Sequence, residues 1–595
     1  MPPAGAAPPG RASFLCAIVV GNVAKGAIGK LKSAGGPVYW PPLIISSPFC
    51  LPVAMLPTRM LFCFMRRAAL GGTLTLTALG AQAQLSPVQR WQHLDQKADG
   101  VPGISADRAY RELLAGRTPT PVLVAVIDSG IDSTHADLQA ILWRNAREVA
   151  GNGLDDDRNG YADDVRGWNY LGGKDGRNVA FETLEQTRLY TQLRPQFEGK
   201  KRKNLSAEDQ AKFDLYQQVK ASQEKALKAD AASYARLKEV QTSNLTVYAQ
   251  VLGALQVEQL DSATLHRAAA QRPDVPLAKA MYGFVHRNHA SGAEDMLKQL
   301  REAVEHYQNR VEKNLNPDYH PRTVVGDNPD DLTQTAYGNP DSQGPDADHG
   351  THCAGIIGAV RGNGQGIEGV ADAVRIMSVR AVPSGDERDK DVANAIRYAV
   401  DNGAQIISMS FGKEFSPNKA AVDEAMRYAD QKGVLLVHAA GNDNRNTDVD
   451  THNYPSSTYL DGQPIANLIT VGASSRLNTA ELAAEFSNYG PQTVDLFAPG
   501  VDIYSTIPGG GYTTHSGTSM AGPVVAGVAA VLKAYYPTLT AAQLKQCIMA
   551  SAVPYHTQVR RPGTKTLVDF ATLSRTGGIV NLYAAVQLAQ QTVGK

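Results

Sequence analysis

Three short stretches carry groups whose types and spacing could do acyl-transfer chemistry. Asp128 closes the apolar run "PVLVAVIDSG" (121–130), His349 lies in "DADHGTHCAGIIGA", and Ser519 lies in "THSGTSMAGP", ahead of the small-residue run "VVAGVAAVLKAYY". A serine hydroxyl becomes a nucleophile when an imidazole takes its proton and a carboxylate holds the imidazole's tautomer and its charged form. Asn442 lies in "HAAGND", at the end of another apolar run. Each group taken singly has a bland reading: a turn aspartate after a strand, a structural histidine at a helix start, a loop asparagine, and a Ser/Thr cap with Pro tolerated in the first turn. For Ser519 cap and nucleophile are compatible, because a helix N-terminus offers unpaired N–H groups and positive potential where an oxyanion forms. Gly350 and Gly517 beside these groups allow backbone and side chains to approach without a Cβ.

The elements that must position them are legible as an alternation. Residues 122–127 are six consecutive apolar residues, the profile of a strand buried on both faces of a parallel sheet. Similar runs recur in "VRIMSVRAV", "AQIISMSFG", "GVLLVHAAGN" and "NLITVGAS", separated by helical stretches such as "DVANAIRYAVDNG" and "NKAAVDEAMRYADQKG" that end in Gly. The pattern predicts an α/β fold with a mostly parallel sheet, whose chemistry gathers at the carboxyl ends of the strands. Ahead of it, a short helix is expected with Ser105 as N-cap, Tyr110, Leu113 and Leu114 on one face, and Gly116 as its stop. That N-terminal segment (84–120) is too short to fold alone and is expected to pack on the main domain.

Between the peptidase-like parts at 121–182 and 326–595, residues 183–325 break the alternation. Lys200 to Leu252 contains no Gly or Pro, and Phe213, Tyr216, Val219, Ala226, Leu227, Tyr234, Leu237 and Val240 recur mainly at steps of three, four or seven. The spacing predicts a long amphipathic helix opened by a capping box from Ser206 to Asp209, and a second helical stretch runs from Ala293 to Leu315. This is a helical insertion, either a hairpin packed on the core or an arm. It holds the formal glycosylation sequon Asn244-Leu245-Thr246.

Asp, His and Ser in this order, inside "DSG", "HGTH" and "GTSMA", resemble the subtilisin-like serine proteases (subtilases). "GVADAVRIMSVRAV", "EFSNYG", "DLFAPG" and "GGIVNLYAAVQLA" match the family's flanking segments, so the resemblance covers about 121–170 and 325–590. It implies a three-layer subtilisin-like fold and a serine endopeptidase. In it Asp128 orients His349, His349 acts as base and then acid, Ser519 attacks the carbonyl, and Asn442 with the Ser519 N–H holds the oxyanion. It further implies that Ser410, Phe411 and Gly412 form an edge for an extended peptide, that Ala439, Ala440 and Gly441 form the facing pocket wall, and that Asn453 stands at its base. Two other classes fit the fold: a catalytically silent binding protein, and an amidase-like transferase acting on one dedicated peptide. The segment before Asp128 is shorter than the folded inhibitory pro-domain of secreted members, so either the enzyme folds without an internal chaperone or the inserted helices serve as one.

No cofactor is required for this chemistry, but structural calcium is a separate expectation. "NGLDDDRNGYADD" sets Asp155, Asp157 and Asn159 at alternate positions before Gly160, as at the start of a calcium loop, although Arg166 replaces the glutamate expected at the twelfth position. A solvated acidic turn is the competing reading. Cys353, one helical turn after His349, reads as a buried inert thiol; if exposed, it makes the protein sensitive to mercurials.

Composition sets the outer limits. The 595 residues carry 58 basic and 58 acidic side chains, a balance that argues against nucleic-acid or membrane-surface partners, while the resemblance implies polypeptide substrates. The first 64 residues hold five basic and no acidic side chains and ten prolines. Met65-Arg66-Arg67, a 13-residue apolar stretch from Ala68 to Gly80, and Ala81-Gln82-Ala83 then form the three parts of a secretory signal peptide. Its core is too short for a stable membrane span. We therefore expect residues 1–64 to be an upstream extension, 65–83 a signal peptide, and the mature chain a secreted or periplasmic monomer without a stable membrane span, carrying 51 basic against 58 acidic residues. That mature chain retains Cys353 and Cys547, which either pair once or stay as thiols.

Overall fold

The structure is a computed structural model and describes residues 85–288 and 290–594. The expected extension and signal peptide lie outside these residues.

The apolar runs form strands β1 (Val122–Asp128), β3 (Val374–Arg380), β4 (Ile406–Met409), β5 (Leu435–Ala439), β6 (Leu468–Ser474) and β7 (Leu496–Pro499), joined by the short β2 (Gly167–Asn169) and β9 (Gly578–Ile579). These eight pair in parallel in the order β2-β3-β1-β4-β5-β6-β7-β9, and Val553–Pro554 (β8) adds one antiparallel edge. With helices on both faces, this is the three-layer α/β fold that the alternation predicts. The sheet separates two cores. On one face Val124, Val126, Ile376, Val437 and Val471 pack under the helix Thr518–Tyr535, 89% of which is buried; among the described residues it is the one helix long and apolar enough to cross a membrane. On the other, Ala125, Ile127, Met377, Val379 and Ile407 meet the helices Asp389–Asp401 and Lys419–Gln431. Each fully buried Val, Leu or Ile contributes roughly 1.5–3 kcal/mol over an exposed one, so two apolar faces hold the sheet rigid beneath the loops at its carboxyl end.

The N-terminal segment packs on the first core through Trp91, Ile104, Ala109 and Leu114, and Trp91 Nε1 donates to the carbonyl of Val501 at 3.1 Å. Ser105 takes the N-cap position, but at φ +59° its side chain makes no capping bond, and its hydroxyl accepts from Asn581 Nδ2 at 2.8 Å. The helix is one turn, Ala106–Ala109, widened into a π-turn at Tyr110–Leu114, and Gly116 at φ +74° ends it.

Among its described residues the insertion holds five α-helices: Glu185–Phe197, Ala207–Leu255, Ser262–Gln271, Pro276–Arg287 and Ala293–Asn309, the last continued by a π-turn to Asn314. Ser206 accepts from the Asp209 N–H at 3.1 Å, but Asp209 Oδ2 accepts from the Ser206 hydroxyl rather than closing the box. The 49-residue helix packs at its base on Glu185–Phe197, where Leu189, Leu193, Phe197, Tyr216 and Val219 meet Phe415 of the main domain. Its apolar stripe is only partly used: Phe213, Ala226, Leu227, Tyr234 and Val240 stay half-exposed.

Candidate active site

Asp128 is the last residue of the central strand β1 and 1% exposed. His349 lies in the first turn of the helix Asp348–Gly358 and leans over it. Its Nδ1 lies 2.7 Å from Asp128 Oδ1, which also accepts the Ser129 N–H at 2.7 Å. Gly350 permits this approach: a Cβ there would stand 2.2 Å from the Gly130 carbonyl oxygen and 3.2 Å from Asp128 Cβ. In the neutral imidazole the carboxylate fixes the proton on Nδ1 and leaves Nε2 as the acceptor. Burial works against protonation of His349, but the adjacent Asp128 carboxylate outweighs it and holds the imidazole well above the usual histidine range.

Ser519 is the second residue of the helix Thr518–Tyr535, with Gly517 as N-cap. Its hydroxyl donates to the Ser410 carbonyl at 3.2 Å, and the Ser410 hydroxyl donates to the Ser519 carbonyl at 2.9 Å. Pro523 explains the second bond. It lies beyond the first turn, not within it, and without an N–H it leaves the carbonyl four residues earlier, that of Ser519, without a helical donor. Cys353 Sγ also approaches that carbonyl at 3.4 Å and stands 3.9 Å from His349 Nδ1, so one buried thiol spans the two segments. Burial raises the thiol's pKa, as expected of an inert cysteine, and both Cys353 and Cys547 are free and buried.

Asn442 follows β5. Its Oδ1 accepts from the Thr518 N–H at 2.9 Å and the Thr518 hydroxyl at 3.0 Å, which turns Nδ2 outward. A point at the missing Cβ of Gly517 is 3.6 Å from both Asn442 Nδ2 and the Ser519 nitrogen, so two donors face one small space. Asn488, within "EFSNYG" and unmarked by any motif of its own, holds this loop. Fully buried, it donates to the Ala440 carbonyl at 2.8 Å and accepts from the N–H groups of Asp443 and Arg445 at 3.1 and 3.0 Å. Gly441, at φ +98°, has no room for a Cβ, which would stand 2.5 Å from Asn488 Nδ2.

The remaining residues line a cleft. Two segments line it beside Asp128 and His349: Ser410, Phe411 and Gly412 after β4, and Val382 to Gly385 after β3. His438 Nε2 lies 2.8 Å from the Phe411 carbonyl, and burial lowers that imidazole to about 4, so it acts as a neutral brace. Ala439 and Ala440 are buried at the end of β5, and Asn453 donates to the Ala440 carbonyl at 3.2 Å. Arg380, fully buried at the end of β3, gives its guanidinium to the carbonyls of Ser129 and Val179 and to Asn169 Oδ1; its role was not visible in the sequence.

The residues from 120 to 578 match the subtilase family. The chain belongs to that family. Over 185 residues it is 44% identical to a thermophilic serine proteinase of Bacillus sp. (strain AK1), a match covering 31% of this chain and 42% of that protein. It is 42% identical over 185 residues to thermitase of Thermoactinomyces vulgaris (31% and 60%), and 36% identical over 207 residues to subtilisin of Bacillus pumilus (34% and 70%). The chain therefore spans between two fifths and three fifths of the first two subtilases. A crystal structure of a cold adapted subtilisin-like serine proteinase aligns at 32% identity with a TM-score of 0.33, covering 42% of this chain and 78% of that one.

In the acidic loop, carboxylate oxygens of Glu148, Asp155 and Asp157 converge within 4.8 Å of one another. Glu148 is not marked by the loop spacing. The Oδ1 of Asn159 accepts the Tyr161 N–H at 2.8 Å, and its Nδ2 donates to Asp164 at 2.9 Å.

Proposed function

We propose that this subtilase is a serine endopeptidase that cleaves polypeptides through an acyl-enzyme. The observation that carries the reading is the His349 Nδ1 to Asp128 contact of 2.7 Å, with Ser519 at the start of an adjacent helix. An extended peptide lies between 382–385 and 410–412. The Ser519 hydroxyl turns from the Ser410 carbonyl to His349 Nε2, gives up its proton, and attacks the scissile carbonyl. Negative charge develops on the carbonyl oxygen between the Ser519 N–H and Asn442 Nδ2. His349, now a cation held by Asp128, protonates the leaving amine. Water then repeats the sequence on the ester and frees Ser519. Cleavage products of an unbiased peptide library, identified by mass and absent with Ser519→Ala, test this reading; cleavage that persists in the variant overturns it.

The finer reading is an exported monomer, released by the leader at 65–83, that needs no cofactor for chemistry and has no nucleic-acid partner. Its acidic loop would hold a calcium ion through Glu148, Asp155 and Asp157. The hard oxygens fit, and the ion would stiffen the loop without entering the reaction.

A further inference from the structure

The insertion does not merely hang from the main domain, because both of its ends are built into one wall of the cleft. Phe181 pairs with Ser384 as a parallel bridge, the Ser384 N–H donates to the Ala180 carbonyl at 2.9 Å, and the Glu182 N–H donates to the Ser384 carbonyl at 3.2 Å. From the far end of the insertion, Asn314 Nδ2 donates to the carbonyls of Glu182 and Ser384 at 2.7 and 2.8 Å. The first inserted helix then grips the next residues of that wall. The Glu185 N–H donates to Asp386 Oδ2 at 2.8 Å, and Arg188 donates to the carbonyls of Asp386 and Glu387 at 3.1 and 3.3 Å.

The other segment lining the cleft reaches into the same cluster. Lys413, adjacent to Gly412, is 5% exposed, and its Nζ lies 2.8 Å from Glu185 Oε2, 2.8 Å from Asp389 Oδ1 and 2.7 Å from the Glu387 carbonyl. Arg188 completes the set at 2.6 Å from Glu185 Oε2. Burial opposes ionisation of Glu185, but Arg188 and Lys413 outweigh it and hold the carboxyl down at about 2. A buried ion cluster is poor at adding net stability and strict about geometry. This one sits where two cleft walls must keep a fixed separation.

We infer that Glu185, Arg188 and Lys413 are positioning residues for the substrate cleft, so that the first helix of the insertion sets the distance between the two walls that take up an extended peptide. This rests on the proposed endopeptidase reading. The expected signature is selective: residues far along the peptide lose their grip while the Asp128–His349–Ser519 chemistry persists.

The test uses the full chain and a series of peptide anilides from one to four residues on the N-terminal side of the cleaved bond, with fluorophosphonate labelling as a measure of the chemistry alone. In the unsubstituted protein, kcat/KM rises with length. In Glu185→Gln at least tenfold of that gain is lost, mainly as a higher KM for the longest substrate, while the labelling rate stays within twofold. Glu185→Met/Lys413→Met, which removes both buried charges, gives the same loss. Unchanged length dependence in either folded variant overturns the inference, as does an equal fall for short substrates and label. Recovery of neither variant as folded protein also counts against it, since the cluster would then be a requirement of folding. A natural sequence that neither labels nor cleaves any length would instead overturn the endopeptidase reading.

Discussion

Ser410 and Ser519 exchange hydrogen bonds: each hydroxyl donates to the other's carbonyl, at 2.9 and 3.2 Å. The pair ties the cleft edge to the first turn of the helix Thr518–Tyr535, and the Ser410 hydroxyl takes the place at the Ser519 carbonyl that Pro523, without an N–H, leaves open. Ser410→Ala leaves that carbonyl with the Cys353 thiol, and Cys353→Ala leaves it with Ser410. Each single variant is expected to lose about 1 kcal/mol of stability, and the double variant about 1–3 kcal/mol beyond their sum, because only then is the carbonyl unsatisfied. Denaturant midpoints of the four proteins check this; strict additivity would contradict it.

Asn442 has two functions that substitution can separate. Its Oδ1 holds Thr518, while its Nδ2 faces the space beside the Ser519 nitrogen. Asn442→Asp keeps the acceptor and removes the donor. We expect kcat to fall about 10²–10³-fold with KM within twofold, the loss known for such a donor in subtilisin, a relative of this chain. A variant that instead raises KM with kcat intact would place Asn442 in ground-state binding.

Glu387 makes stability depend on alkaline pH. Burial pushes its carboxyl from 4.5 up to about 8, with Lys413 opposing the rise and Asp386 and Asp389 adding to it. The folded-state value is raised, so the neutral group's contribution is full below about 4.5 and is lost as pH climbs through 8. Glu387→Gln removes that dependence. Its melting temperature relative to the unsubstituted protein should be higher at pH 9 than at pH 5, and an equal difference at both would be contrary.

Chelation gives a separate outcome at the acidic loop. If Glu148, Asp155 and Asp157 hold calcium, excess chelator lowers the melting temperature and added calcium restores it. Glu148→Gln should abolish the response, while Asn159→Ala, whose side chain is committed to Tyr161 and Asp164, should keep it. An identical response in the two variants would contradict the assignment.

What the sequence made legible was local and what it hid was long-range. Asp128, His349 and Ser519 stood out because each sits in a glycine-marked turn at the end of a strand or the start of a helix. The parallel sheet stood out because its strands are continuous apolar runs. Ser105 takes the N-cap position that the sequence marks, but that its hydroxyl bonds Asn581, 476 positions away, and not the helix is visible only in the folded chain. The helices Ser262–Gln271 and Pro276–Arg287 escaped because "QRPDVP" between them looks like loop and each buries only a few residues. Lys413 and Glu185 carry no motif; their pairing across 228 positions is visible only in the folded chain.

The central claim is that Ser519 is a nucleophile activated by His349. Intact mass after treatment with a small fluorophosphonate tests it most directly. The account predicts one adduct per chain, located on Ser519 by peptide mapping, lost in Ser519→Ala and strongly slowed in His349→Ala. An adduct elsewhere, or none on a folded chain, would contradict it.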